Sequence, residues 1–228
     1  MKKIILSIIY LFVFNVSAFA AVEVDITRGN LDPLPIAISP LHLESGSKDI
    51  KQGENTIKNV GEKISQLIEI NLRRSGLFNP LKKDSFVQNP DIAHIKPRFE
   101  DWRLIKAQAL VTGKVIVTDE KLRVEFRLWD VVAAKEIIAL AFSTTPQNWR
   151  RVAHMISDKI YKRLTGETGY FDTRIIYVSE VGPKTQRVKK LAIMDQDGAN
   201  VKYLTLGNEL VLTPRFSPKN QLVTYLSY

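Results

Sequence analysis

Arg174-Ile175-Ile176-Tyr177-Val178-Ser179 and Lys190-Leu191-Ala192-Ile193-Met194-Asp195 read as two short strands. An Asp197-Gly198 turn follows, then Phe216-Ser217-Pro218 and Leu222-Val223-Thr224-Tyr225-Leu226-Ser227. The strand around Tyr177 returns around Tyr225, a spacing of 48 residues. A period near this length, with about four strands per unit, is the signature of a β-propeller blade. Residues 174–228 therefore read as a first blade and the start of a second. A partial ring leaves strand edges and one blade face uncovered. The expectation is that residues 21–165 fold alone, while 170–228 are loosely ordered or aggregation-prone.

Upstream the pattern changes. Residues 28–55 are rich in turn formers, with a strand expected over Pro35–Ser39. Ile57, Val60, Ile64, Leu67, Ile68 and Leu72 recur at helical spacing, predicting a helix from about Thr56 to Ser75 with Gly76 as its C-terminal cap. A second helical stretch is expected around Phe99–Ala109. Three strands follow, Leu110–Val117, Leu122–Val131 and Glu136–Thr144. Leu122, Val124, Phe126 and Leu128 alternate with Arg123, Glu125, Arg127 and Trp129, as in a half-buried antiparallel strand. A last helix is punctuated by Thr145 as cap, Pro146 in the first turn and Gly166 at the far end. Its apolar stripe is Trp149, Val152, Met155, Ile156 and Ile160. The expected fold class is an α/β domain over 34–165, a mixed sheet packed with two or three helices. A linker over 166–173 then leads to the propeller start over 174–228.

The first 20 residues have the three parts of an export signal. Lys2-Lys3 is positive, Ile4 to Phe14 is apolar, and Ala18-Phe19-Ala20 is a small-x-small cleavage site. The apolar run is shorter than the roughly 20 residues that span a bilayer. Cleavage is expected between Ala20 and Ala21, leaving an exported protein in a bacterial periplasm. Removing Lys2 and Lys3 lowers the formal charge from +9 to +7. The remaining basic residues are scattered, which describes a solvated surface rather than a nucleic-acid interface. The chain has no cysteine, so disulfides, thiolate metal sites and a cysteine nucleophile are excluded.

Catalytic signatures are missing. There is no GxSxG elbow, HExxH helix, P-loop or GxGxxG turn. His42, His94 and His154 are far apart in sequence, and His154 reads as an ordinary helix-face residue. Asp195-Gln196-Asp197-Gly198 resembles part of a calcium loop, but the EF-hand register puts Ile193 and Leu204 at ligand positions. A hairpin turn accounts for it better. Asp101-Trp102-Arg103 and Trp149-Arg150-Arg151 pair aromatics with basic residues, yet both tryptophans suit amphipathic helices. No catalytic residue, metal, cofactor or small-molecule substrate is expected.

Ala21 to Thr27 alternates Val22, Val24 and Ile26 with Glu23 and Asp25. It reads as an ordinary first strand or as a segment that adds to a partner's sheet edge.

Several stretches together carry a resemblance. They are Ser75-Gly76-Leu77-Phe78-Asn79-Pro80-Leu81, Arg127-Leu128-Trp129-Asp130, the junction Leu164-Thr165-Gly166-Glu167-Thr168-Gly169-Tyr170-Phe171-Asp172-Thr173, and Pro214-Arg215-Phe216-Ser217-Pro218. With the leader, they resemble the N-terminal half of the TolB family of the Tol-Pal envelope system. That resemblance implies a non-enzymatic, periplasmic protein-binding component with an α/β domain and a six-bladed propeller, acting in outer-membrane integrity and cell division. It implies that the mature N-terminus engages TolA and can alternatively pack back on the protein. The matching residues are Ala21, Val22, Glu23, Val24, Asp25, Ile26, Thr27, Arg28, Gly29, Asn30, Leu31, Asp32 and Pro33. Pal binding is implied for the propeller, most of which would be encoded after Tyr228. The competing expectations are a fragment of a propeller-gated hydrolase and an exported surface-binding propeller protein.

Overall fold

The computed structural model describes residues 32–220 and 222–228. Residues 1–31, with the expected leader, its cleavage site and most of the expected partner segment, lie outside the described residues.

Strand β1 (Leu34–Ile38) lies inside a mixed sheet between β5 (Phe78–Pro80) and β6 (Ala109–Val117), parallel to both. Strands β7 (Leu122–Asp130) and β8 (Lys135–Thr144) extend the sheet antiparallel, giving the order β5-β1-β6-β7-β8. The short β2 (His42–Leu43) also pairs with β6. Helices α1 (Val60–Arg74) and α4 (Trp149–Thr165), numbered here in chain order, cover one face.

Period-2 alternation sorts the sheet residues between two cores. Ile36 and Ile38 join the large core under α1 and α4, while Ala37 between them joins a smaller cluster on the opposite face. That cluster centres on Trp102 of the short helix α3 (Phe99–Leu104), with Leu110 and Val131; helix α2 (Pro90–Ala93) supplies Ala93. Leu122, Val124, Phe126 and Leu128 of β7 are buried in the main core, as the alternation required.

Two boundaries differ from expectation. The first helix begins at Val60, not Thr56, because Asn55–Ile57 forms β4 and pairs with β3 (Ile50–Gln52) in a hairpin. Ile57 still packs on the core, so helical spacing extended across two different elements. The second helix ends at Leu104, not Ala109, because Ala109 pairs with both β1 and β7. In the last helix one 3-10 turn, Pro146–Asn148, precedes Trp149, and Thr145 makes no side-chain cap. Met155 of its expected stripe is only half-buried.

The remaining strands form two small sheets. Strands β9 (Arg174–Val181) and β10 (Val188–Asp195) pair along their full length, with β11 (Lys202–Tyr203) on the far edge of β10. Strands β12 (Val211–Phe216) and β13 (Val223–Ser227) form the next hairpin, so Tyr177 and Tyr225 each sit in a repeated strand. Leu206, Leu222 and Tyr228 are largely exposed, and Leu191, Ala192 and Val211 are the buried hydrophobics of this region among the described residues. An α/β domain followed by the start of a propeller is therefore the architecture.

Candidate functional site

Buried polar groups meet where α4 passes from the sheet to the first blade. Helix α4 closes on Gly166, whose φ of 77° is the left-handed value that favours glycine at this position. The chain then turns back along the helix. The Asp158 carboxylate accepts hydrogen bonds from Phe171 N (2.7 Å) and Asp172 N (3.1 Å). Gly169 crosses so closely that a Cβ there would stand 2.5 Å from Asp158 Cα. Phe171 is thereby seated in the core beside the rings of Tyr161 and Tyr170. This is the physical content of the Gly166-to-Asp172 stretch: one glycine reverses the chain and another lets it lie on the helix. Burial pushes the Asp158 pKa up, against the two backbone N–H groups that pull it down.

A buried polar chain runs from α1 through α4 to the blade. Asn71 Nδ2 lies 3.0 Å from His154 Nδ1 and 3.0 Å from Ser157 Oγ. Gln196 Nε2, in the β10–β11 turn, donates to Asn71 Oδ1 at 3.3 Å, while Arg74 donates to Gln196 Oε1. Arg150 pairs with Asp197, and Arg151 pairs with Asp172 at 3.2 Å. Gly198 takes a φ of 86°, so the Asp197-Gly198 turn is the hairpin expected from sequence. Sequence reasoning did not foresee that His154 and this turn meet. His154 Nε2 lies 3.7 Å from Asp197 Oδ2, and one ligand atom each from His154, Asp195 and Asp197 fall within 4.8 Å of one another. Burial lowers the His154 pKa more than Asp197 raises it, so the ring is neutral near pH 7. Only the residue types were available as a signal, since 41 positions separate His154 from Asp195.

Ser157 Oγ donates to Ala153 O inside its own helix and is fully buried. His42 and His94 stack at 4.4 Å far along the chain from His154, and His42 Nδ1 bonds Asp91 at 2.6 Å. A groove of about 720 Å³ runs beside the start of α1 and α4, lined by Ile57, Lys63, Ile70 and Trp149 among others. Of the expected partner segment, Asp32 and Pro33 are described, and both are exposed just before β1. Among the described residues no helix is long and apolar enough to cross a membrane.

Comparisons with known proteins match this architecture part by part. The profile of the TolB amino-terminal domain matches residues 22–137, and that of the TolB beta propeller domain matches residues 161–228. The Tol-Pal system protein TolB of Pelagibacter ubique (strain HTCC1062) is 69% identical over 223 residues, covering 96% of this chain and 50% of the relative. The crystal structure of TolB from Acinetobacter baumannii superposes with a TM-score of 0.70 at 25% identity, covering 91% of this chain and 47% of that one. The chain thus spans about half the length of these relatives. With an α/β domain, a junction and a blade start that each match in order, the chain belongs to the TolB family.

Proposed function

We propose that this chain is the N-terminal half of a periplasmic, non-enzymatic protein-binding component of the Tol-Pal envelope system, serving outer-membrane integrity and cell division. The observation that carries this is its 69% identity, over nearly its whole length, to a Tol-Pal system protein TolB.

In this reading residues 21–33 engage TolA. The alternation of Val22, Val24 and Ile26 with Glu23 and Asp25 gives the segment one apolar and one acidic face, suited to strand addition at a sheet edge. Asp32 and Pro33 are exposed, ahead of the first sheet bond from Leu34 N to Leu77 O at 2.9 Å. Pal would be held by a complete propeller, and its binding would bias the N-terminal segment between docked and free states. The division proposed is a leader over 1–20, the partner segment, an α/β domain over 34–165, a linker over 166–173 and the propeller start.

Deleting residues 21–33 should abolish capture of TolA in a pull-down while the far-UV circular dichroism is unchanged. Undiminished capture by the deleted chain would refute the assignment.

A further inference from the structure

Three buried side-chain nitrogens on α4 make no hydrogen bond: Trp149 Nε1, Arg150 Nε and His154 Nε2, of which His154 Nε2 can ligate an ion. His154 Nε2 is buried without a hydrogen bond, on a side chain 3% exposed. It faces Asp197 Oδ2 at 3.7 Å, too far for a hydrogen bond. Two ligand atoms that share one ion at about 2.1 Å in tetrahedral geometry stand about 3.4 Å apart. We propose that His154 Nε2 and the carboxylates of Asp195 and Asp197 bind a divalent transition cation of the zinc class. A cavity of about 60 Å³, lined by His154 and Asp195 but also by Arg150, Arg151 and Arg174, has room for water as a fourth ligand, and its three guanidinium groups oppose the ion's charge.

The donor set selects the ion. One imidazole nitrogen with two carboxylates suits zinc or manganese, whereas calcium takes six to eight oxygens. A neutral ring is the ligating form, and burial holds His154 neutral. Coordination through Nε2 requires the proton on Nδ1. As the amides now stand, Asn71 Nδ2 faces Nδ1, so the Asn71 amide must make a half-turn to present Oδ1 there, with the Ser157 hydroxyl rotating to donate to the same oxygen. The Gln196 amide, which now donates to Asn71 Oδ1, must turn with it to accept from Asn71 Nδ2, releasing Arg74 to solvent. Arg150 now stands in for the cation by pairing with Asp197. Ion and guanidinium therefore compete for one carboxylate. The bound ion would tie α4 directly to the β10–β11 turn, joining the α/β domain to the first blade. This site does not depend on the partner assignments above.

Zinc binding by the purified chain, read by isothermal titration, tests the proposal, with Co²⁺ absorption reporting the ligand geometry. The expected result is one ion per chain. His154→Ala and Asp197→Asn should each weaken binding at least about tenfold, and Arg150→Gln should strengthen it by removing the competing charge. The double variant His42→Ala/His94→Ala should bind as the wild type does. Circular dichroism checks that each variant is folded, and Arg150→Gln keeps every ligand in place should the others fail to fold. Absence of zinc binding by the wild type, unchanged affinity in Arg150→Gln, or loss confined to the His42/His94 variant would each overturn the site.

Discussion

The latch made by Asp158 sets how firmly the blade start is held against the α/β domain. Asp158→Ala removes the acceptor of two backbone donors, Phe171 N and Asp172 N. A hydrogen bond to a charged group contributes about 1.5–3 kcal/mol, and a buried donor left alone costs a similar amount. Part of this is offset, because the half-buried carboxylate no longer has to be desolvated. The net loss should be about 2–4 kcal/mol. With a urea slope of about 2 kcal/mol per molar, the unfolding midpoint falls by about 1–2 M. Tryptophan fluorescence reports it, since Trp149 begins the same helix. Asp158→Asn keeps one acceptor oxygen and should lose about half as much. Gly169→Ala dislodges the same turn, since its Cβ would meet Asp158 Cα at 2.5 Å. The Asp158→Ala/Gly169→Ala pair should therefore cost less than the sum of the single changes. A midpoint unchanged in Asp158→Ala, or strict additivity in the pair, would refute the latch.

His154 should make the chain sensitive to mild acid. Its folded pKa is depressed by burial below 6.5, so its contribution is present above that pH and is lost as pH falls. In a metal chelator, wild type should lose more stability between pH 7.5 and 5.5 than His154→Gln; equal slopes in thermal melts would contradict this. Asp158 works in the opposite sense, because its folded pKa lies above 3.8: its contribution is present below that value and is lost as pH rises through the folded pKa. Stability curves of Asp158→Asn should lack that component. Gly113→Ala places a Cβ 2.1 Å from Glu125 O on the neighbouring strand and should cost about 3 kcal/mol or prevent folding; a melt within a degree of wild type would refute the close approach.

Much of the architecture was legible because it rests on local periodicity. The alternation of β7 was written in eight consecutive residues, and the stripe of α1 from Val60 to Leu72 is buried as spaced. Periodicity failed at element starts. Ile57 fits the helical spacing but pairs with Ile50, because an apolar side chain reaches one core from either a helix or a strand. Ala109 likewise left the helical reading once it paired with two strands.

By itself, the sequence determined the fold class, the 48-residue strand return and the family, since these follow from patterns and motifs within short windows of chain. Only the tertiary structure decided what the junction is made of. Asn71, His154 and Asp197 come from α1, α4 and a blade turn, and each alone is a common residue in a common setting. Their meeting depends on how two helices and a hairpin pack, a non-local arrangement that no spacing along the chain encodes. The same packing buried His154 and left its Nε2 without a partner. A histidine that read as an ordinary helix-face residue thereby became the centre of the proposed site.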